Sequence, residues 1–478
     1  MRSGASLTSV VVCALGLAAC VRGPAAFDGT APTLGSDLAC AYDVTISPSG
    51  KELDVVARFA PGVLDGDTAA TVTEGAEPFV RELTSASGAR PPLRSGTFSV
   101  SDCARGCSLR YRFALADAAD ALGDDSVARA TRGALEAPFG TWLLRPTAHR
   151  ESDRFSLVVH SPSGRFVTGF AAASEPTPGE YRTTATLADL ARAPYTLFGS
   201  LAVTSVPLTR GAVTLAVAGG ARPSADFPAW VRRASDAVTA NFGRFPVDSL
   251  MVGVLPRRGS RIGYGRALAG PRGASILVDV GEDADDARLV HDWVLVHEMI
   301  HLTFPSLDRT HRWMEEGLAT YLEPLVRARA GLSTEAEAFG DFVTMMANGQ
   351  PEDGDLGIDR TPTWGRIYWG GALFCFVCDF EIRRRTNGER SLDDALRAIL
   401  AAGGNNGVQW PIEKAFAIGD AATGLDVLTR TYRAWRVAPV RVDLDGMFRD
   451  LGIRRDGDFA TLDDRAPLAA LRKQMTRR

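Results

Sequence analysis

His297-Glu298-Met299-Ile300-His301, followed after a fourteen-residue spacer by Glu316 within Trp313-Met-Glu-Glu316-Gly-Leu-Ala-Thr-Tyr321, is the stretch that decides the fold. Upstream, Glu282, Asp283, Asp285 and Asp286 stand where a helix N-terminus favours negative charge. The spacing predicts a helix from about 284 through Leu289, Val290, Trp293, Val294 and Val296 to His301, stopped by Pro305. Its nearly continuous apolar character marks it as buried, where polar side chains need a specific reason. Positions four apart share a helix face, so His297 and His301 can offer two imidazole nitrogens to one zinc ion. Glu298, about 100° around the helix, is off that face. It can still reach a water beside the metal and serve as general base. Six histidines in 478 residues make an accidental H-E-x-x-H an event expected about 0.003 times. Two core histidines bonded to backbone groups are the bland alternative.

A tetrahedral site needs a third protein ligand. Residues 312–329 predict a second helix, folded back beside the first by the short connection 302–311. The segment Trp313–Tyr321 resembles the glutamate helix of the gluzincin peptidases, whose aminopeptidase N and glycyl aminopeptidase branches carry W-x-x-E-G-[FL]-x-x-Y. The resemblance implies Glu316 as the zinc ligand; Glu315, about 100° around the helix, reads as a helix-surface residue. Glu323 is either a group behind the ligand or a solvated carboxylate. A further stretch, Tyr368-Trp-Gly-Gly-Ala372 continuing to Thr386-Asn-Gly-Glu-Arg-Ser391-Leu-Asp-Asp394, is similar to the glycyl aminopeptidase segments Y-x-K-G-A and T-x-G-x-x-S-L-D-D. It implies that the Tyr368 hydroxyl stabilises a tetrahedral oxyanion. Gly370 stands at the motif's lysine position, and on its own residues Tyr368 reads as a core aromatic starting a helix.

The resemblance spans roughly 38–440 and implies an α+β multidomain chain. Its parts are a β-rich N-terminal domain (38–205), a thermolysin-like zinc peptidase catalytic domain (206–330) and a C-terminal helical domain (331–440). The extension 441–478 reads as irregular with one short helix. The residues support the outline. Short alternating runs such as Leu53-Asp-Val-Val-Ala-Arg-Phe59 fill the first part. Strands at 213–217, 250–255 and 276–280, with a helix at 228–242 closed by Gly243, precede the mostly helical remainder. Related aminopeptidases recognise a free substrate amine through an acid in Gly-x-Met-Glu-Asn or Gly-Gly-Leu-Glu-His. Here Arg261-Ile-Gly-Tyr-Gly-Arg-Ala-Leu-Ala-Gly270 contains no acid, which leaves aminopeptidase and endopeptidase activity both open. Arg257, Arg258, Arg261, Arg266 and Arg272 read as a solvated hairpin or as a carboxylate-binding group. His291 falls off the ligand face and His311 in the connection, where a surface role is expected. Gly263-Tyr-Gly is no dinucleotide fingerprint, and no G-x-S-x-G elbow occurs.

Arg2 and the apolar run Val10–Cys20 have the layout of a secretory signal over 1–19, too short to span a bilayer. Leu17-Ala18-Ala19-Cys20 resembles a bacterial lipobox, which implies a lipid on Cys20, a tether over 20–37 and an envelope location, with the outer membrane favoured. Of the remaining cysteines, Cys103 can pair with Cys107, or either with Cys40, while Cys375-Phe-Val-Cys378 reads as buried thiols. A net charge of -4 gives no basis for nucleic-acid binding. The expectation is a lipid-anchored zinc metallopeptidase holding one zinc, acting on a peptide or protein and touching the membrane only through its lipid. The competing expectation is an inactive peptide-binding or envelope-assembly lipoprotein on the same scaffold.

Overall fold

Period-two alternation builds the N-terminal part, because successive strand side chains point to opposite faces. The computed structural model describes residues 34–477 apart from 36, 65–67, 102, 162–163, 174–176, 220–224 and 458. The expected signal peptide, Cys20 and nearly all of the tether lie outside the described residues. Strands β1 (Leu38–Ile46), β2 (Leu53–Phe59), β3 (Val80–Ser85), β4 (Cys107–Phe113), β5 (Ala134–Glu136), β6 (Arg154–His160) and β7 (Glu180–Thr186) follow in turn. All but β5 form one sheet in the order β7-β6-β1-β2-β4-β3, with β1 and β6 parallel. Val55, Ala57, Phe59, Leu157 and Val159 point into its core. Cys103 is bonded to Cys107, while Cys40 is a buried thiol.

The next unit is a mixed sheet. Strands β8 (Leu201–Pro207), β9 (Ala212–Ala218), β10 (Leu250–Arg257), β11 (Ile262–Gly270) and β12 (Gly273–Gly281) are ordered β8-β9-β10-β12-β11, with helix α1 (Phe227–Phe242) between β9 and β10. The expected boundary at 205/206 falls inside β8, which pairs with β9 along its length. Strands β9, β10 and β12 run parallel and are almost wholly apolar, as buried parallel strands must be. Strand β11 is antiparallel to β12 and forms the edge of the sheet.

The long helix expected from 284 is two helices. α2 (Asp286–Val290) is one short piece, capped by Asp285, and α3 (Val294–His301) is the second. Asp292 explains the break: its carboxylate accepts from the Val294 and Leu295 amides at 3.0 Å each, and from the Trp230 indole at 2.9 Å. A side chain that captures first-turn amides starts a helix there and cannot lie inside one. The helix ends at His301, before Pro305, where the Thr303 hydroxyl takes the Ile300 carbonyl. Helix α4 (Arg312–Ala330) follows, then α5 (Glu335–Met345), a single π-type turn (Gly365–Gly370) and α6 (Gly371–Arg385). Helices α7 (Leu392–Ala401), α8 (Ile412–Thr423) and α9 (Val427–Trp435) complete the helical part.

Residues after 440 are more regular than expected. They form α10 (Leu444–Leu451), a hairpin of β13 (Ile453–Asp456) and β14 (Phe459–Leu462), and α11 (Ala469–Thr476). Leu444, Phe448 and Leu451 recur at helical spacing and join the core, as do Leu471 and Met475. One continuous core therefore runs from Val206 to Met475.

Candidate metal centre

Helix α3 lies beside α4, and their facing side chains meet in a single cluster. His297 and His301, one turn apart, direct Nε2 atoms at Glu316 Oε2, at 3.8 and 3.5 Å. All three ligand atoms lie within 4.8 Å of one another. Bonds of about 2.0–2.1 Å in a tetrahedron place ligand atoms about 3.4 Å apart, so this donor set fits zinc with little rearrangement. Electrostatics agree with the geometry. Burial alone would raise the Glu316 pKa, but the two imidazoles hold it well below the usual carboxylate range. Burial would likewise depress His301, yet Glu316 and Glu298 outweigh it and lift the imidazolium to about 9. His297 is lowered by its burial. The pocket favours positive charge, which a proton supplies when no cation does.

Glu298 is buried beside the cluster, and that burial raises its carboxyl to about 7. Strand β11 makes the room. At Gly265 a Cβ would lie 2.7 Å from Glu298 Oε1 and 2.8 Å from Cδ, so only glycine leaves this carboxylate its place. Tyr368, in the π-type turn, is half-buried and interacts electrostatically with both Glu316 and Glu298. It reaches the cluster because α4 and α6 cross on glycines. A Cβ on Gly371 would lie 2.8 Å from the Gly317 Cα, and one on Gly317 would lie 2.6 Å from the Ala372 amide. Arg312, one turn before Glu316, approaches Glu316 Oε1 at 3.3 Å and interacts electrostatically with Tyr368. Oε1 is thus held from behind while Oε2 faces the histidines, the arrangement that orients a metal ligand.

No protein-family model and no curated protein matches the chain in sequence. Solved structures do match in shape. An aminopeptidase N family protein from Idiomarina loihiensis superposes with a TM-score of 0.67 at 14% identity, covering 87% of this chain and 78% of that one. A mutant of a two-domain M1 zinc metallopeptidase, bound to L-arginine, gives 0.53 at 16% identity over 87% and 98%. Native yeast LTA4 hydrolase gives 0.52 at 12% identity over 87% and 70%. The fold is that of the M1 zinc metallopeptidases.

Within this M1 fold, several side chains lie where their sequence did not place them. Glu315 is half-buried rather than a free surface residue: it accepts from the Leu307 amide at 2.7 Å, pinning the connection between α3 and α4. His311 is no surface residue either. Its Nε2 lies 3.0 Å from the Tyr432 hydroxyl and 3.7 Å from Asp359, which ties the start of α4 to α9. Glu323 is buried against Arg327 at 3.1 Å rather than solvated. His291 is exposed and outside the cluster. Arg266 is neither solvated nor free for a carboxylate, because it donates to both Glu136 oxygens of β5 at 3.0 and 2.9 Å. Cys375 and Cys378 are buried thiols, pushed up by that burial. Sequence reasoning missed Arg312, Gly265 and Asp292. The i,i+4 spacing of Arg312 and Glu316 was a visible signal, but such pairs abound on helix surfaces.

Proposed function

We propose that the chain is a zinc-dependent peptidase anchored to the bacterial envelope through a lipid on Cys20. The supporting observation is the convergence of His297, His301 and Glu316 on one point, with a buried Glu298 beside them. Zinc held by these three ligands supplies a Lewis acid that polarises a peptide carbonyl and acidifies a water. The remaining chemistry belongs to the protein. Glu298 takes the proton of the attacking water at its carboxylate and delivers it to the leaving amine. The Tyr368 hydroxyl donates to the developing oxyanion. Arg312 keeps Glu316 and Tyr368 in register, and Asp292 fixes the start of the helix that carries both histidines.

Recognition does not depend on a free substrate amine. Strand β11 carries no acid, and Glu136, contributed by the N-terminal part, is occupied by Arg266. Peptides blocked at both ends are therefore expected to be cleaved. No helix among the described residues is long and apolar enough to cross a membrane, and anchoring rests on Cys20. Chelation and reconstitution test the activity. Hydrolysis of a blocked peptide is expected to vanish with chelator and return with one equivalent of zinc. Undiminished cleavage in the metal-free protein would refute the proposal. Incorporation of labelled fatty acid, abolished by Cys20→Ala, tests the anchor.

A further inference from the structure

Tryptophan is costly to leave in water, and its placement here is uneven. Of the eight tryptophans, Trp142, Trp230, Trp313, Trp369 and Trp435 are buried, and Trp410 is half-covered beneath the Lys414 ammonium. Only Trp293 and Trp364 are exposed, by 52% and 58%. Both touch the candidate metal centre. The Trp293 indole packs edge-on against the His297 ring at 5.6 Å. The Trp364 indole lies over Tyr368, with centroids 6.1 Å apart and planes inclined by 32°. One indole thus flanks the cluster on the α3 side and the other on the Tyr368 side. Neither is required to shape the core, since each points out of it.

We infer that Trp293 and Trp364 are the walls of two apolar subsites, and that the preferred substrate is a peptide with aromatic or large aliphatic side chains flanking the bond cleaved. This rests on the peptidase reading for the position of that bond. An exposed indole offers a flat, rigid apolar face that loses little entropy on binding, which is why tryptophan dominates binding hot spots. A substrate ring stacking on it removes apolar area from water on both partners and adds an oriented ring contact. Each indole is in ring contact with a residue of the proposed reacting centre, His297 or Tyr368, which puts it within a side chain's reach of the scissile carbonyl. On the Trp293 side, the ring neighbour is His297, a proposed ligand. On the Trp364 side, the Arg312 guanidinium is engaged by Glu316 and Tyr368.

The test uses two acetylated, amidated peptides of equal length, one alanine-based and one with phenylalanine at the two central positions. Zinc-loaded full-length Glu298→Gln protein is titrated with each, and binding is read from tryptophan fluorescence. The wild type then cleaves both. The phenylalanine peptide is expected to bind about tenfold more tightly, equivalent to about 1.4 kcal/mol. Trp293→Ala and Trp364→Ala are each expected to reduce that ratio, whereas Trp293→Phe and Trp364→Phe retain most of it. Phe459→Ala, which removes an even more exposed ring far along the chain in β14, serves as the control and leaves the ratio unchanged. Equal affinity for the two peptides overturns the inference, even if the alanine variants fail to fold. So does an undiminished ratio in both folded alanine variants. Equal cleavage of both peptides by wild type overturns the inference while the peptidase reading stands. Selective binding without any cleavage does the reverse.

Discussion

If the proposed function holds, Gly265→Ala should silence peptide hydrolysis without unfolding the protein. The added methyl carbon would sit 2.7 Å from Glu298 Oε1 and 2.8 Å from Cδ, whereas carbon contacts settle at about 3.5–4.0 Å. The neighbour that must yield is the far end of a flexible side chain rather than a backbone, so relief comes by displacing the Glu298 carboxylate by about 1 Å. A misplacement of that size at a reacting group costs about 10²-fold in rate. The proposed zinc ligands are on α3 and α4, and the three atoms nearest the added methyl all belong to Glu298, so metal content should stay at one per chain. The assay is kcat/KM on a blocked peptide, with zinc measured by elemental analysis and the melting temperature followed in parallel. A loss of about 10²-fold in kcat with zinc retained is expected. Wild-type kcat in a folded, zinc-replete Gly265→Ala protein would refute the placement of Glu298 as proton carrier.

Further outcomes follow from the surrounding contacts. Asp292→Ala strips two amides and an indole of their acceptor and should lower stability by about 3 kcal/mol, measured by denaturant unfolding, with Asp292→Asn recovering part of the loss. Arg312→Ala frees Glu316 Oε1 and the Tyr368 hydroxyl, and should weaken zinc affinity or activity by about 10–100-fold in competition with a chelator. Burial outweighs the Arg327 pair and raises Glu323 to about 8. Between its ordinary value of 4.5 and that value the folded state holds the extra proton. The contribution to stability is therefore full below the lower value and lost as pH rises through the upper one, by at most about 1.4 kcal/mol per pH unit. Glu323→Gln should flatten that slope in melts taken from pH 5 to 8.

The fold was legible wherever periodicity carried it. Helix α4, strands β9, β10 and β12 and the closure of α1 at Gly243 all lie within a few residues of their expected bounds, because spacing and caps are local signals. What escaped was the outcome of side-chain competition and of long-range contact. Asp292 divides a continuous apolar pattern into two helices, a choice made by two backbone amides and the distant Trp230. Glu315 looked like a surface residue of its helix and His311 like one of the connection, yet Leu307, Tyr432 and Asp359 hold them in place. Arg266 looked free because its partner Glu136 lies 130 residues away. The cluster of His297, His301 and Glu316 was the reverse case: helical spacing proposed two members, and a motif resemblance supplied the third. Gly265 was invisible, since a glycine in a strand does not announce which carboxylate it accommodates.

The central claim is that His297, His301 and Glu316 hold a zinc ion at which Glu298 moves the proton. Its most direct test measures zinc content and blocked-peptide hydrolysis together, in the wild type and in Glu298→Gln. One zinc per chain is expected in both proteins, with hydrolysis in the wild type alone. Equal hydrolysis by the zinc-loaded Glu298→Gln protein, or a wild type purified without chelator that carries no zinc and still cleaves, would contradict it.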